Sequence, residues 1–226
     1  IPRTLADISG AMKEELPEVT ETCKMYEREI TIKDEDNLYP NIQFMYVDSS
    51  FFDIFSFEAY KGNKQATLNT PGEVVITRSL AKKYFGSEDP VNKEISIGDR
   101  KYSVGAVLED IPGNSHFRFD MITSFYTMND AEQFFNNHGW DFFTYFRVKP
   151  GIPKETWEPK LSQLIDRVTR TKLQEIGSED AFNISAEAQA LNNIHLHSDY
   201  SFDIAPQGDI NNIYIFSILA AFILII

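Results

Sequence analysis

Apolar residues fall into helical and strand periods that alternate along the chain. Leu5, Ile8, Met12 and Leu16 recur on one helical face, Thr4 stands at an N-cap position and Pro17 lies just past the end, which predicts a helix over 4–16. β-Branched and alternating residues over 19–33 predict strand, with Ile30 and Ile32 on one face, and Asp34 to Asn37 reads as a solvated turn. That acidic turn lacks the spacing and closing Glu of a calcium loop. Ile42, Phe44 and Tyr46 alternate as a strand, and the aromatic run 51–55 predicts a short helical or turn element whose rings are core. Gly62 and Pro71-Gly72 punctuate a loop beyond it.

The most ordered block follows. Residues 73–76 form a short apolar strand, Thr77 caps a helix over 78–85, and Gly86 supplies its left-handed stop. Ile95 and Ile97, the Gly98-Asp99 turn and the run 102–108 predict a hairpin. Phe117, Phe119 and Met121 alternate as a strand, 129–136 suits a short helix, and 142–148 reads as a strand buried between layers. The longest helix spans 154–176, with Trp157, Leu161, Leu164, Ile165 and Val168 on one stripe and Gly177 after it. Phe182 and Ile184 open a further strand region, and IHLHS begins at Ile194. Strands in runs, without strict βαβ alternation, make the fold class α+β.

The last segment changes the picture. From Ile213 to the end the chain reads IYIFSILAAFILII, without a charge, Gly or Pro. A surface helix shows a polar face. This run has none and predicts the first turns of a transmembrane helix, which needs about 20 apolar residues. Ile213, Tyr214 and Phe216 mark where the chain meets the membrane, the two aromatics at interfacial height. No Lys or Arg follows Lys172, whereas Asp199, Asp203 and Asp209 lie on the approach. Positive charge marks cytoplasmic flanks, so the preceding residues are placed outside the cytoplasm. The start at Ile1, with no initiator Met and no signal segment, reads as a cut from a longer protein.

Composition then excludes several functions. At 226 residues with 42% hydrophobic content the chain can bury a substantial core. A net charge of −13 argues against nucleic acid and anionic lipid as partners. Cys23 is the only cysteine, so no internal disulfide forms. No nucleophile elbow and no phosphate-cradling glycine loop occurs, so any ATPase lies outside this chain. His195 and His197 share one face of a strand and are weak metal candidates, with Asp199 continuing that face; without zinc-type spacing, a surface strand is the preferred reading. His116 and His138 stand alone. No catalytic, cofactor or firm metal site emerges.

Residues 72–120, GEVVITRSLAKKYFGSEDPVNKEISIGDRKYSVGAVLEDIPGNSHFRFD, carry a recognisable pattern. A strand ending in Thr leads into S-L-A-K-K-Y-F-G, then D-P-V-N-K, a hairpin, and E-D-I-P-G-N-S-H-F-R-F-D. FFDIFSF from Phe51, Lys61-Gly62, LNNIHLHS from Leu191 and Gly208-Asp209 add to it. The chain resembles the MacB-like periplasmic core domain of FtsX-type ABC permeases.

The resemblance implies a two-lobed periplasmic domain. An α/β porter-like lobe would be built from both chain ends, 1–44 and 149–212, around an inserted strand-rich lobe over 45–148. The start of a transmembrane helix would occupy 213–226. It implies a bacterial inner-membrane protein with an ABC ATPase, separate or fused, as partner, and a permease homodimer or paired permease. A periplasmic adaptor is a further candidate partner. ATP would be bound by that ATPase and no cofactor by this domain, whose task would be mechanotransmission during export or periplasmic handling of a substrate. The residues themselves leave one rival open: the extracytoplasmic ligand-sensing domain of a membrane receptor kinase. Packing of 5–16 near 194–202 is expected, because it would bring the two membrane connections together.

Overall fold

A computed structural model describes residues 3–34, 37–113, 115–128, 130–177, 186–191 and 194. Six helices and eight strands follow in the order α1 (Asp7–Glu15), β1 (Val19–Asp34), β2 (Asn37–Val47), α2 (Phe51–Ile54), β3 (Ala59–Gly62), α3 (Lys64–Leu68), β4 (Glu73–Thr77), α4 (Arg78–Phe85), β5 (Glu94–Ile97), β6 (Arg100–Leu108), β7 (Met121–Ser124), α5 (Ala131–His138), β8 (Phe143–Val148) and α6 (Lys154–Glu175).

All eight strands join one mixed sheet in the order β3-β6-β4-β7-β2-β1-β8, with β5 paired to β6. β2 runs parallel to β7 and β4 parallel to β6, while every other pairing is antiparallel. The sheet spans segments expected in two lobes. The boundary at 44/45 falls inside β2, where Phe44 and Met45 face opposite sides, and β1 pairs directly with β8.

Both faces of the sheet are covered, which leaves β7 buried at every position and β4 buried from Val74 to Thr77. On one face Ile42, Phe44, Tyr46, Ile76, Tyr102 and Met121 pack with Leu80 and Ala81 of α4 and with rings from α5. On the other, Met25, Met45, Val75 and Ile122 meet Phe51, Phe52, Phe55, Phe117 and Phe119. The aromatic run 51–55 is therefore core, as its composition indicates.

Three local expectations change. Thr4 does not cap α1, which begins after Ala6 without a side-chain cap. The Thr4 hydroxyl instead lies 2.7 Å from that of Thr144, and its backbone bridges Phe142 at the start of β8. The strand expected through Phe117 and Phe119 starts only at Met121: those rings do share one face, but their backbone runs irregularly, with Asp120 the first residue tied to both Gln43 and Thr77. The loop expected between residues 58 and 72 contains β3 and α3, the latter capped by Asn63.

Candidate functional site: the seam between the first and last helices

α1 carries Ile8 and Met12 one turn apart, both 1% exposed, with Leu5 and Leu16 extending the stripe. α6 presents Trp157, Leu161, Leu164 and Ile165 at the same spacing, and the two stripes form one cluster with Val19 of β1 and Phe146 and Val148 of β8. Burying such side chains is worth about 1.5–3 kcal/mol each, so this apolar seam dominates the attachment of α6. Trp157 meets Phe146 edge to face at 5.5 Å. The chain stretch 186–188 continues the layer: the Ala188 N–H donates to Glu158 at 3.0 Å, and Ala186 and Ala188 pack on the cluster.

Two ion pairs bridge the helices. Arg167 of α6 pairs with Glu15 of α1, and Lys160 of α6 pairs with Glu18, just past the end of α1. Glu18 is 8% exposed, and its second carboxylate oxygen has no partner among the described residues. The hydrogen bond from Lys160 holds its carboxyl below the ordinary carboxylate range, and Arg167 does the same to Glu15.

A polar joint fixes α1 to the sheet. The Asp48 carboxylate, just beyond β2, accepts from the Lys24 backbone N–H at 2.8 Å, from the Lys24 ammonium at 2.7 Å and from the Ser9 hydroxyl at 3.2 Å. The same ammonium lies 4.9 Å from the Phe125 ring centre and 5.0 Å from that of Phe135. Next to this joint, burial pushes the Cys23 thiol well above its usual range, so it stays protonated and unreactive. The contacts thus run unbroken from 186–188 through α6 and α1 to β1, β2 and β8.

The pattern in 72–120 proves architectural. Thr77 caps α4 by accepting from the Leu80 N–H at 3.3 Å. Asp89 accepts from the Val91 N–H, Asn92 takes a left-handed conformation at φ 66°, and its N–H donates to Val104, so D-P-V-N-K is a turn clipped to β6. In E-D-I-P-G-N-S-H-F-R-F-D, Glu109 pairs with Arg78, Asp110 with Ser79, and Asp120 accepts from the Gln43 N–H. His116 lies 2.6 Å from the Tyr145 hydroxyl.

Of the residues singled out from sequence, His195, His197, Ile213, Tyr214 and Phe216 lie outside the described residues, as do 195–202, expected to pack near α1. Among the described residues no group of three His, Cys, Asp or Glu side chains is placed to hold a metal ion, and no helix is long and apolar enough to cross a membrane. Sequence reasoning missed Glu18, Lys24 and Asp48. A charged residue inside an alternating strand is the one signal that could have picked out Lys24.

The family model described as the MacB-like periplasmic core domain matches residues 1–164. Among solved structures, a domain assigned to a permease protein of Porphyromonas gingivalis is 25% identical, with a TM-score of 0.63 and 86% of each chain covered. The periplasmic region of MacB from Actinobacillus actinomycetemcomitans is 13% identical at a TM-score of 0.58, covering 80% of this chain and 86% of that one. The extracellular domain of the ABC-type transporter YknZ from Gram-positive bacteria is 14% identical at 0.58, covering 82% and 90%. The last two likenesses concern the fold. No curated protein matches the chain.

Proposed function

Because the chain belongs to the MacB-like periplasmic core domain family, we propose that it works as the mechanical element of an ABC permease, carrying motion between membrane helices and the periplasm without catalysing a reaction. ATP hydrolysis would take place on a cytoplasmic ATPase, separate or fused, with a second permease copy or a paired permease beside it. The substrate is moved or handled on the periplasmic side.

The observation that carries this reading is the α1–α6 seam. A transmitter needs a stiff body joined firmly to whatever drives it. Here an apolar stripe and two ion pairs lock α6 to α1, and Asp48 locks α1 to the sheet. Displacement of α6 therefore moves the sheet as one body instead of being absorbed in a loop. Family membership favours this reading over a receptor-kinase sensor.

The test uses the permease assembled with its ATPase. A spin label at Gln163, exposed on α6, reports the distance between two copies of the domain with and without ATP. A second pair of labels, at Gln163 and Lys101 of one copy, reports internal rigidity. The expected result is a nucleotide-dependent change in the first distance and none in the second. A first distance indifferent to nucleotide would overturn the reading.

A further inference from the structure

We infer that α5 is a lid which leaves the sheet as a unit and uncovers an aromatic pocket able to take an apolar, ring-bearing molecule. An isolated eight-residue helix is unstable in water, so α5 persists only through what it packs on. No residue of α5 is fully buried, whereas α1 buries Ile8 and Met12, and α4 buries Leu80 and Ala81. Its N-terminus has no side-chain cap, and at its C-terminus Gly139 has φ 46°, a conformation open to glycine and strained for other residues.

Its attachment is made by ring contacts, by the Lys24 ammonium beside Phe135 and by exposed polar pairs. Phe134 meets Tyr26 edge to face at 5.0 Å, and Phe135 meets Phe125 at 5.3 Å and Phe142 at 5.6 Å. Asn136 accepts from Lys172 of α6 at 2.9 Å, and Asp130, just before α5, pairs with Arg100 at 3.4 Å, both in contact with solvent. Exposed pairs of this kind contribute little. Segments with few buried apolar contacts open well before the whole domain unfolds.

Beneath the lid lies a preformed floor of rings. Tyr46, Phe125 and Phe142 belong to the buried core, with Tyr26 at its edge, and the Tyr46 hydroxyl lies 3.4 Å from that of Tyr102. These rings are held by strands or their immediate flanks and stay in place when α5 departs. A planar apolar molecule stacking there replaces Phe134 and Phe135, and so binds the open form selectively.

Hydrogen–deuterium exchange on the whole chain, read by mass spectrometry, tests both parts. Amides of 131–138 are expected to exchange at least about tenfold faster than those of α4, by opening that leaves β7 protected. Phe135→Ala should accelerate α5 again without altering β7. Saturating indole should also accelerate α5 alone, because it holds the lid open. Exchange of α5 at the rate of β7, or equal acceleration of both by Phe135→Ala, would show that α5 opens only with the whole domain. Indole leaving α5 exchange unchanged would refute the pocket.

Discussion

The carboxylate of Asp110 holds Ser79 twice, accepting its backbone N–H at 2.7 Å and its hydroxyl at 2.8 Å. Ser79 is in the first turn of α4, where backbone N–H groups lack helical partners and negative charge is favoured. Asp110 thus supplements the cap that Thr77 provides. Asp110→Ala should cost about 1 kcal/mol, and Asp110→Asn, which keeps an acceptor but loses the charge, should cost less. Urea unfolding measures both. Equal and negligible losses would mean that Thr77 alone suffices.

Gly62 allows β3 to lie against β6, and Gly105 leaves room on β6 for Thr67 of α3 and Glu73 of β4. A Cβ on Gly105 would lie 2.4 Å from the Glu73 carboxylate, whose end can swing away, and 2.3 Å from the hydroxyl of buried Thr67, which must shift. On Gly62, at φ 78°, it would meet the Gly105 carbonyl at 2.3 Å, which cannot shift. Gly105→Ala should therefore destabilise by about 1–3 kcal/mol and Gly62→Ala by more, since strain and backbone clash add there. Calorimetry should rank the melting temperatures wild type, Gly105→Ala, Gly62→Ala in descending order.

Two substitutions on α6 should act in opposite directions. Leu161 is 2% exposed in the seam, and Leu161→Ala should cost about 2–5 kcal/mol. The Thr169 hydroxyl is fully buried without a partner among the described residues. Thr169→Val removes that unmet polar group at nearly constant shape and should stabilise by about 1 kcal/mol. Denaturant midpoints at constant slope read both effects.

Acid should loosen the seam. In the folded state the Glu15 and Glu18 carboxyls are held below the ordinary glutamate range, chiefly by hydrogen bonds from Arg167 and Lys160. A depressed carboxyl contributes stability in full above its unfolded value, and that contribution is lost as pH falls through the folded value. Stability should therefore decline below about pH 4.5. The decline should be shallower in Glu15→Gln/Glu18→Gln, even though that variant is less stable at neutral pH. Parallel pH profiles of wild type and variant would contradict this assignment.

Much of the local structure is legible from the chain. Thr77 and Gly86 bracket α4 as read, because cap chemistry acts within one turn. Phe117 and Phe119 point to one core as alternation requires, although no strand forms around them. Thr4 misleads because its hydroxyl finds Thr144, a partner 140 residues away. The E-D-I-P-G-N-S-H-F-R-F-D run marks the family, yet its carboxylates act on Ser79, Arg78 and Gln43, which spacing could not reveal.

The sequence by itself determined the periods of its elements, the α+β class and the family pattern. These rest on interactions within a few residues, or on composition. Only the tertiary structure decided that β2 lies parallel to β7, that Gly62 must clear Gly105, and that Lys160 and Arg167 close on Glu18 and Glu15. Those choices depend on which surfaces meet once both faces of the sheet are buried, and many strand orders share the same local periods.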